Sequence, residues 1–163
     1  MRKIYLAGPD VFLENAKEHG EKLKQKCLAC GFEGLFPLDN IVQGDTKAEL
    51  AEKIRIGNIE LIKTCNIVIA NLSPFRGPEP DSGTVWEVGF AQALGKKVIG
   101  YCADKRDLKT KTQDILGLSD SSDKDTQGLE IEDFGLTHNL MYSHIVQCRS
   151  FDECLAKILQ DQC

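Results

Sequence analysis

Five short apolar runs rich in β-branched residues recur along this chain, at 3–7, 33–37, 66–70, 97–101 and 144–148, each bounded by turn-forming residues. Between them the apolar residues take helical spacing, at 13–30, 46–64, 83–94 and 151–159. A strand that is apolar on both sides must be covered on both sides, and the alternating helices supply the covers. Few architectures satisfy that pattern.

The one it predicts is a flavodoxin-like, doubly wound α/β fold, with a five-stranded parallel sheet in three layers (α/β/α). At 163 residues the chain is expected to form one domain, 1–163. Sheets of this kind bind ligands outside the carboxyl ends of their strands, near the point where strand order reverses. The segments expected there are AGPD (7–10), PLDN (37–40), NLSPFRGPEPDSG (71–83) and the loop after Tyr101. Residues 103–137 are long, acidic and rich in Ser, Asp and Lys, and are expected to form a mobile excursion.

Charge and cysteine usage narrow the function classes. The net charge is −5, and between Asp114 and Asp133 seven acids face one lysine, which leaves the rest of the chain near neutral. No basic face is offered to a phosphate backbone, so nucleic acid is not an expected partner. Seven scattered cysteines, an odd number, read as buried thiols; Cys27-x-x-Cys30 ends a helical stretch, and no second pair or histidine set completes a zinc site. No metal and no cofactor is expected. MRKIYLAG runs directly into a strand-like segment and no run of 18 apolar residues occurs, so no membrane association and a cytoplasmic location are expected.

Two acids in PEPDSGTVWEVGFAQALGKK draw attention. Thr84-Val-Trp-Glu87 fits a capping box, which would make Glu87 a purely structural residue. Against that, Gly83, Thr84 and Ala91 are small neighbours at helical spacing, leaving room over the carboxylate, and a helix N-terminus would keep it anionic at neutral pH. Asp81 fits an N-cap equally well, yet a loop Asp and a helix Glu at one strand end also form the carboxylate pair that cleaves glycosidic bonds. Gly8 would let the backbone approach a ligand, and Asp10 would either accept from sugar hydroxyls or cap the next helix. The chain lacks GxGxxG and GxxxxGK[ST], which removes dinucleotide and P-loop readings.

YLAGPDVF, PLDN, SPFRGPEPDSGTVWEVGFAQALGK and GLTHNLM, in this order and approximate spacing, resemble the nucleoside 2-deoxyribosyltransferase family over nearly the whole chain. The most specific part is Asp-Ser-Gly-Thr-x-x-Glu with the downstream Asn139-Leu140-Met141. The resemblance implies ping-pong exchange of nucleobases on 2′-deoxyribose, with 2′-deoxynucleosides and nucleobases as partners and some hydrolysis leaking through. By similarity Glu87 attacks C1′, Asp81 is the acid and base toward the nucleobase, and Tyr5 orients the nucleophile. Asn58 stands where some members carry an Asp near the sugar, and Gly83 lies within the motif. Asn139 would reach the 5′-OH from a neighbouring subunit, with Met141 beside it, which implies a homo-oligomer. Phe12, Asp39 and Phe75 would flank or bond the base, or else serve as core packing and a turn.

Two other readings remain open from the sequence. A 2′-deoxynucleoside 5′-monophosphate N-glycosidase on the same fold would use the same Glu with water as acceptor; GLTHNLM offers an amide suited to a hydroxyl instead of a phosphate site. A non-enzymatic nucleotide-binding domain would reduce both acids to caps.

Overall fold

A computed structural model of the chain describes residues 1–39 and 43–161. Its sheet has five parallel strands, β1 (Arg2–Ala7), β2 (Phe32–Leu35), β3 (Ile67–Asn71), β4 (Lys97–Tyr101) and β5 (Val146–Cys148), in the order β2-β1-β3-β4-β5. The helices are α1 (Ala16–Ala29), α2 (Lys47–Thr64), α3 (Ser82–Ala93), α4 (Leu108–Leu116) and α5 (Phe151–Gln160). From β1 the chain first moves outward to β2 and then returns to the other side of β1 as β3. The order therefore reverses between β1 and β3, and the flavodoxin-like arrangement read from the sequence is the one observed.

The period of two along the strands divides the core. Ile4 and Leu6 of β1, with Ile67 and Ile69 of β3, pack on Leu23 and Cys27 of α1 and on Phe151, Leu155 and Ile158 of α5. Tyr5 and Ala7, with Val68 and Ala70, face Ile62 of α2 and Val88 and Ala91 of α3. Three layers result, and Tyr5 is carried on the face covered by α2 and α3.

Differences from the expected boundaries have local causes. The helix expected from residue 13 begins at Ala16, because a 3-10 turn at Pro9–Phe12 leaves Leu13 extended at ψ 146°. The second strand stops at Leu35, where Asp39 folds back to accept from the Phe36 N–H at 2.9 Å. Residues 103–137 contain a helix that the sequence reading passed over: Asp107 caps α4 by accepting from Thr110 N–H at 2.8 Å, and Gly117 ends it in the left-handed region at φ 63°. Lys109 then pairs with Asp123 and Asp133, and Gln113 donates to the carbonyls of Asp120 and Ser122. Part of the acidic stretch is thus tied to α4. Cys27, Cys65, Cys102, Cys148 and Cys154 are buried thiols and Cys30 is half-buried, while Cys163 and Asn40 of PLDN lie outside the described residues. Among the described residues no helix is long and apolar enough to cross a membrane.

Candidate active site

A cavity of about 340 Å³ opens beyond the carboxyl ends of β1 and β2, beside the end of the loop that leads from β3 into α3. Its polar side chains are Asn58 of α2, Asp81 in the loop before α3, and Thr84 and Glu87 of α3; Gly8 and Gly83 add backbone. Val11, Phe12, Pro37, Leu38 and Ile54 make the rest of the wall apolar. Few polar groups in an apolar recess is the pattern of small-molecule sites.

Glu87 is held from the sheet. Tyr5, with 0 % of its surface exposed, donates its hydroxyl to Glu87 Oε1 at 2.7 Å, and Asn58 Nδ2 approaches the same oxygen at 3.4 Å. The structure gives Glu87 neither a capping role nor a place at the helix terminus. The N-cap of α3 is Asp81 and not Thr84, so no capping box forms. Glu87 also lies beyond the first turn, where the helix terminus no longer favours the anion strongly. Burial instead pushes its carboxyl up to about 7, with Asp81's charge adding to the rise and the Tyr5 and Asn58 hydrogen bonds opposing it. Burial, reinforced by the neighbouring carboxylate, lifts the Tyr5 phenol above its usual range, so it stays a donor.

Asp81 combines its two readings. Its Oδ2 caps α3, accepting from Thr84 N–H at 2.9 Å and from Thr84 Oγ1 at 3.0 Å. Its Oδ1 has no partner among the described residues, and the side chain lines the cavity. One oxygen fixes the carboxylate and leaves the other available.

Other candidates are placed elsewhere. Asp10 accepts from Asn71 Nδ2 at 3.0 Å and pairs with His19 at 3.2 Å; it neither lines the cavity nor caps α1. Gly8 is required, but for these neighbours: a Cβ there would lie 2.5 Å from Asp10 Oδ2 and 2.8 Å from Asn71 Cβ. Asp39 is a turn residue, its carboxylate divided between the Phe36 N–H and Lys24 at 2.7 Å. Phe12 lines the cavity, and Phe75 stacks on it from outside at 5.3 Å between centroids. Asn139 is away from this cavity, donating to Glu132 at 2.8 Å and accepting from Met141 N–H, and Met141 is 72 % exposed.

Of the apolar wall the sequence singled out Phe12, and PLDN only as a segment; Val11 and Ile54 were not named as site residues. Ile54 had a usable signal, since it stands one helical turn before Asn58 and so shares its face. Pro37 and Leu38 had only their place in PLDN, and Val11 had no signal, because an apolar residue beside a strand end reads as core.

An open parallel α/β sheet with a buried tyrosine–glutamate pair and a capping aspartate at its switch point defines a class of small-molecule sites built on carboxylates. Comparison with known proteins narrows the class. A family model described as nucleoside 2-deoxyribosyltransferase matches residues 4–141. The chain belongs to that family. A 2-deoxyribosyltransferase structure from Leishmania mexicana superimposes with a TM-score of 0.81 at 33% identity, covering 100% of both chains. A second, from Bacillus psychrosaccharolyticus, gives 0.51 at 25% identity over 81% of this chain and 98% of that one. An uncharacterised protein of Schizosaccharomyces pombe is 36% identical over 107 residues, which are 63% of this chain and 51% of that protein. The chain thus spans about half the length of that curated relative.

Proposed function

We propose that the protein transfers a 2-deoxyribosyl group between nucleobases, with Glu87 as nucleophile. With the proton of the acid pair on Asp81 and Glu87 ionised, a Glu87 oxygen attacks C1′ of a 2′-deoxynucleoside as the C1′–N bond breaks, and the departing base takes that proton from Asp81. A deoxyribosyl ester on Glu87 remains. A second base, losing its proton to Asp81, displaces the ester at C1′, and two inversions give net retention.

The observation that carries this reading is the Tyr5–Glu87 pair. Glu87 faces the cavity and is held by one phenol and a distant amide, and among the described residues no hydrogen bond ties it to main-chain amides. A carboxyl near 7 is about half ionised at neutral pH, and the burial that raises it also leaves the anion weakly solvated and more nucleophilic. Absence of the 2′-OH eases development of positive charge at C1′, so deoxyribosides are the easier substrates. The apolar wall would exclude water and favour a base as acceptor. Asn139, remote from the cavity of its own chain, fits a role at the site of a second subunit.

Incubation of a 2′-deoxynucleoside with a different free base, followed by chromatography, tests the proposal. The exchanged nucleoside is the expected product. Release of free deoxyribose without exchange, or cleavage only of a 5′-monophosphate, would support a hydrolase instead.

A further inference from the structure

The loop between β3 and α3 presents a cation that this chemistry does not use. Arg76 has φ 56°, alone among the described non-glycine residues in taking a positive value. The conformation is unfavourable for an L-residue and persists where surrounding structure imposes it. Here the Phe75 N–H donates to the Glu79 carbonyl at 2.9 Å, closing the loop around Arg76, and the Glu79 carboxylate accepts from the Tyr142 hydroxyl.

The loop sets the guanidinium on an aromatic step. Arg76 Cζ lies 4.7 Å from the Phe75 ring centre and 5.4 Å from that of Phe12, and these rings stack at 18°. Phe12 is 58 % exposed and lines the cavity that holds Glu87. Arg76 makes no hydrogen bond or ion pair among the described residues, and no Lys or Arg lines the cavity. A guanidinium carries five donors in a planar fork and no acceptor. With its face occupied by rings, its edge remains for a ligand with paired acceptors.

We propose that Arg76, set beside Phe12 at the rim of the cavity, is a specificity-determining residue, donating its fork to O6 and N7 of a 6-oxopurine. The inference rests on the function proposed above in taking a nucleobase as the occupant. A 6-oxopurine places two acceptors side by side, whereas a 6-aminopurine sets a donor next to N7 and confronts the fork with a like group. A pyrimidine lacks the paired O6/N7 edge altogether.

The test compares hypoxanthine and adenine as acceptors for the wild type, Arg76→Met and Arg76→Lys. Met keeps an apolar stem on the rings without the fork, and neither replacement is β-branched, so the loop is perturbed alike in both. Arg76→Met should lower kcat/KM for hypoxanthine by about 10- to 100-fold while adenine changes by less than about threefold, and Arg76→Lys should recover only part of the loss. Equal losses for both bases overturn the proposal, as does a loss seen only with 5′-monophosphate donors. Calorimetric binding of the two free bases separates this outcome from failure of the transferase reading. If no form of the protein exchanges bases, that reading fails, while selective loss of hypoxanthine binding in Arg76→Met still supports the role of Arg76. Unchanged or absent hypoxanthine binding overturns it.

Discussion

Tyr5 and Glu87 stand 82 residues apart in the chain and 2.7 Å apart in the fold, joined by one hydrogen bond from phenol to carboxylate. β1 supplies the donor and α3 the acceptor, so the strand-to-helix packing itself sets the position of the proposed nucleophile.

The free enzyme should show kcat/KM rising with pH through about 7, because the proposed nucleophile must be ionised and burial holds its carboxyl there. Tyr5→Phe removes a hydrogen bond that favours the anion. Its activity should fall, and its acidic limb should move to higher pH. A pH–rate profile of both proteins measures this, and an unmoved limb in Tyr5→Phe would show that another group titrates.

Stability should carry the same signature. The folded carboxyl lies at about 7, above its ordinary 4.5, so the folded state holds the proton more tightly than the unfolded chain. That contribution is present below about 4.5 and is lost as pH rises through 7. Glu87→Gln cannot titrate and keeps an oxygen for Tyr5. Its stability relative to wild type should therefore improve between pH 5 and pH 8, on the order of 2 kcal/mol, read by urea unfolding at each pH.

Asp81→Asn should fold normally, since Asn caps a helix as well as Asp does. Its exchange rate should drop by about 100-fold or more for ordinary bases and much less for bases that leave without protonation. Steady-state rates across a leaving-group series decide the matter; equal losses throughout would leave Asp81 as a cap alone.

Mixing two inactive variants tests the proposed second subunit. If Asn139 serves a neighbouring chain, Glu87→Ala and Asn139→Ala each fail alone, yet refolding them together should restore activity through mixed oligomers. No recovery in the mixture, with mixed oligomers verified by mass, would show that Asn139 does not complete a neighbouring chain's site.

The strands were legible because a buried parallel strand is a short apolar run, and all five were found within two or three residues. α4 was missed because LKTKTQDIL has few apolar residues, and its buried face uses Lys111, Thr112 and Gln113. Glu87, Asp81 and Tyr5 lie in the stretches that carry the family resemblance, Asn58 was named only through that resemblance, and the structure gathers all four. The raised carboxyl of Glu87 was not readable, since it depends on burial by distant elements. Asp10 and Asp39 look like ligand groups in sequence, but His19, Asn71 and Lys24 engage them, and pairings across the fold leave no local signal.

The most direct measurement is mass spectrometry of the enzyme mixed with a 2′-fluoro-2′-deoxynucleoside, whose fluorine slows breakdown of the sugar ester. The account predicts one fluorodeoxyribosyl adduct per chain, on the peptide containing Glu87 and absent from Glu87→Ala. An adduct on another peptide, or full base exchange by Glu87→Ala, would contradict it.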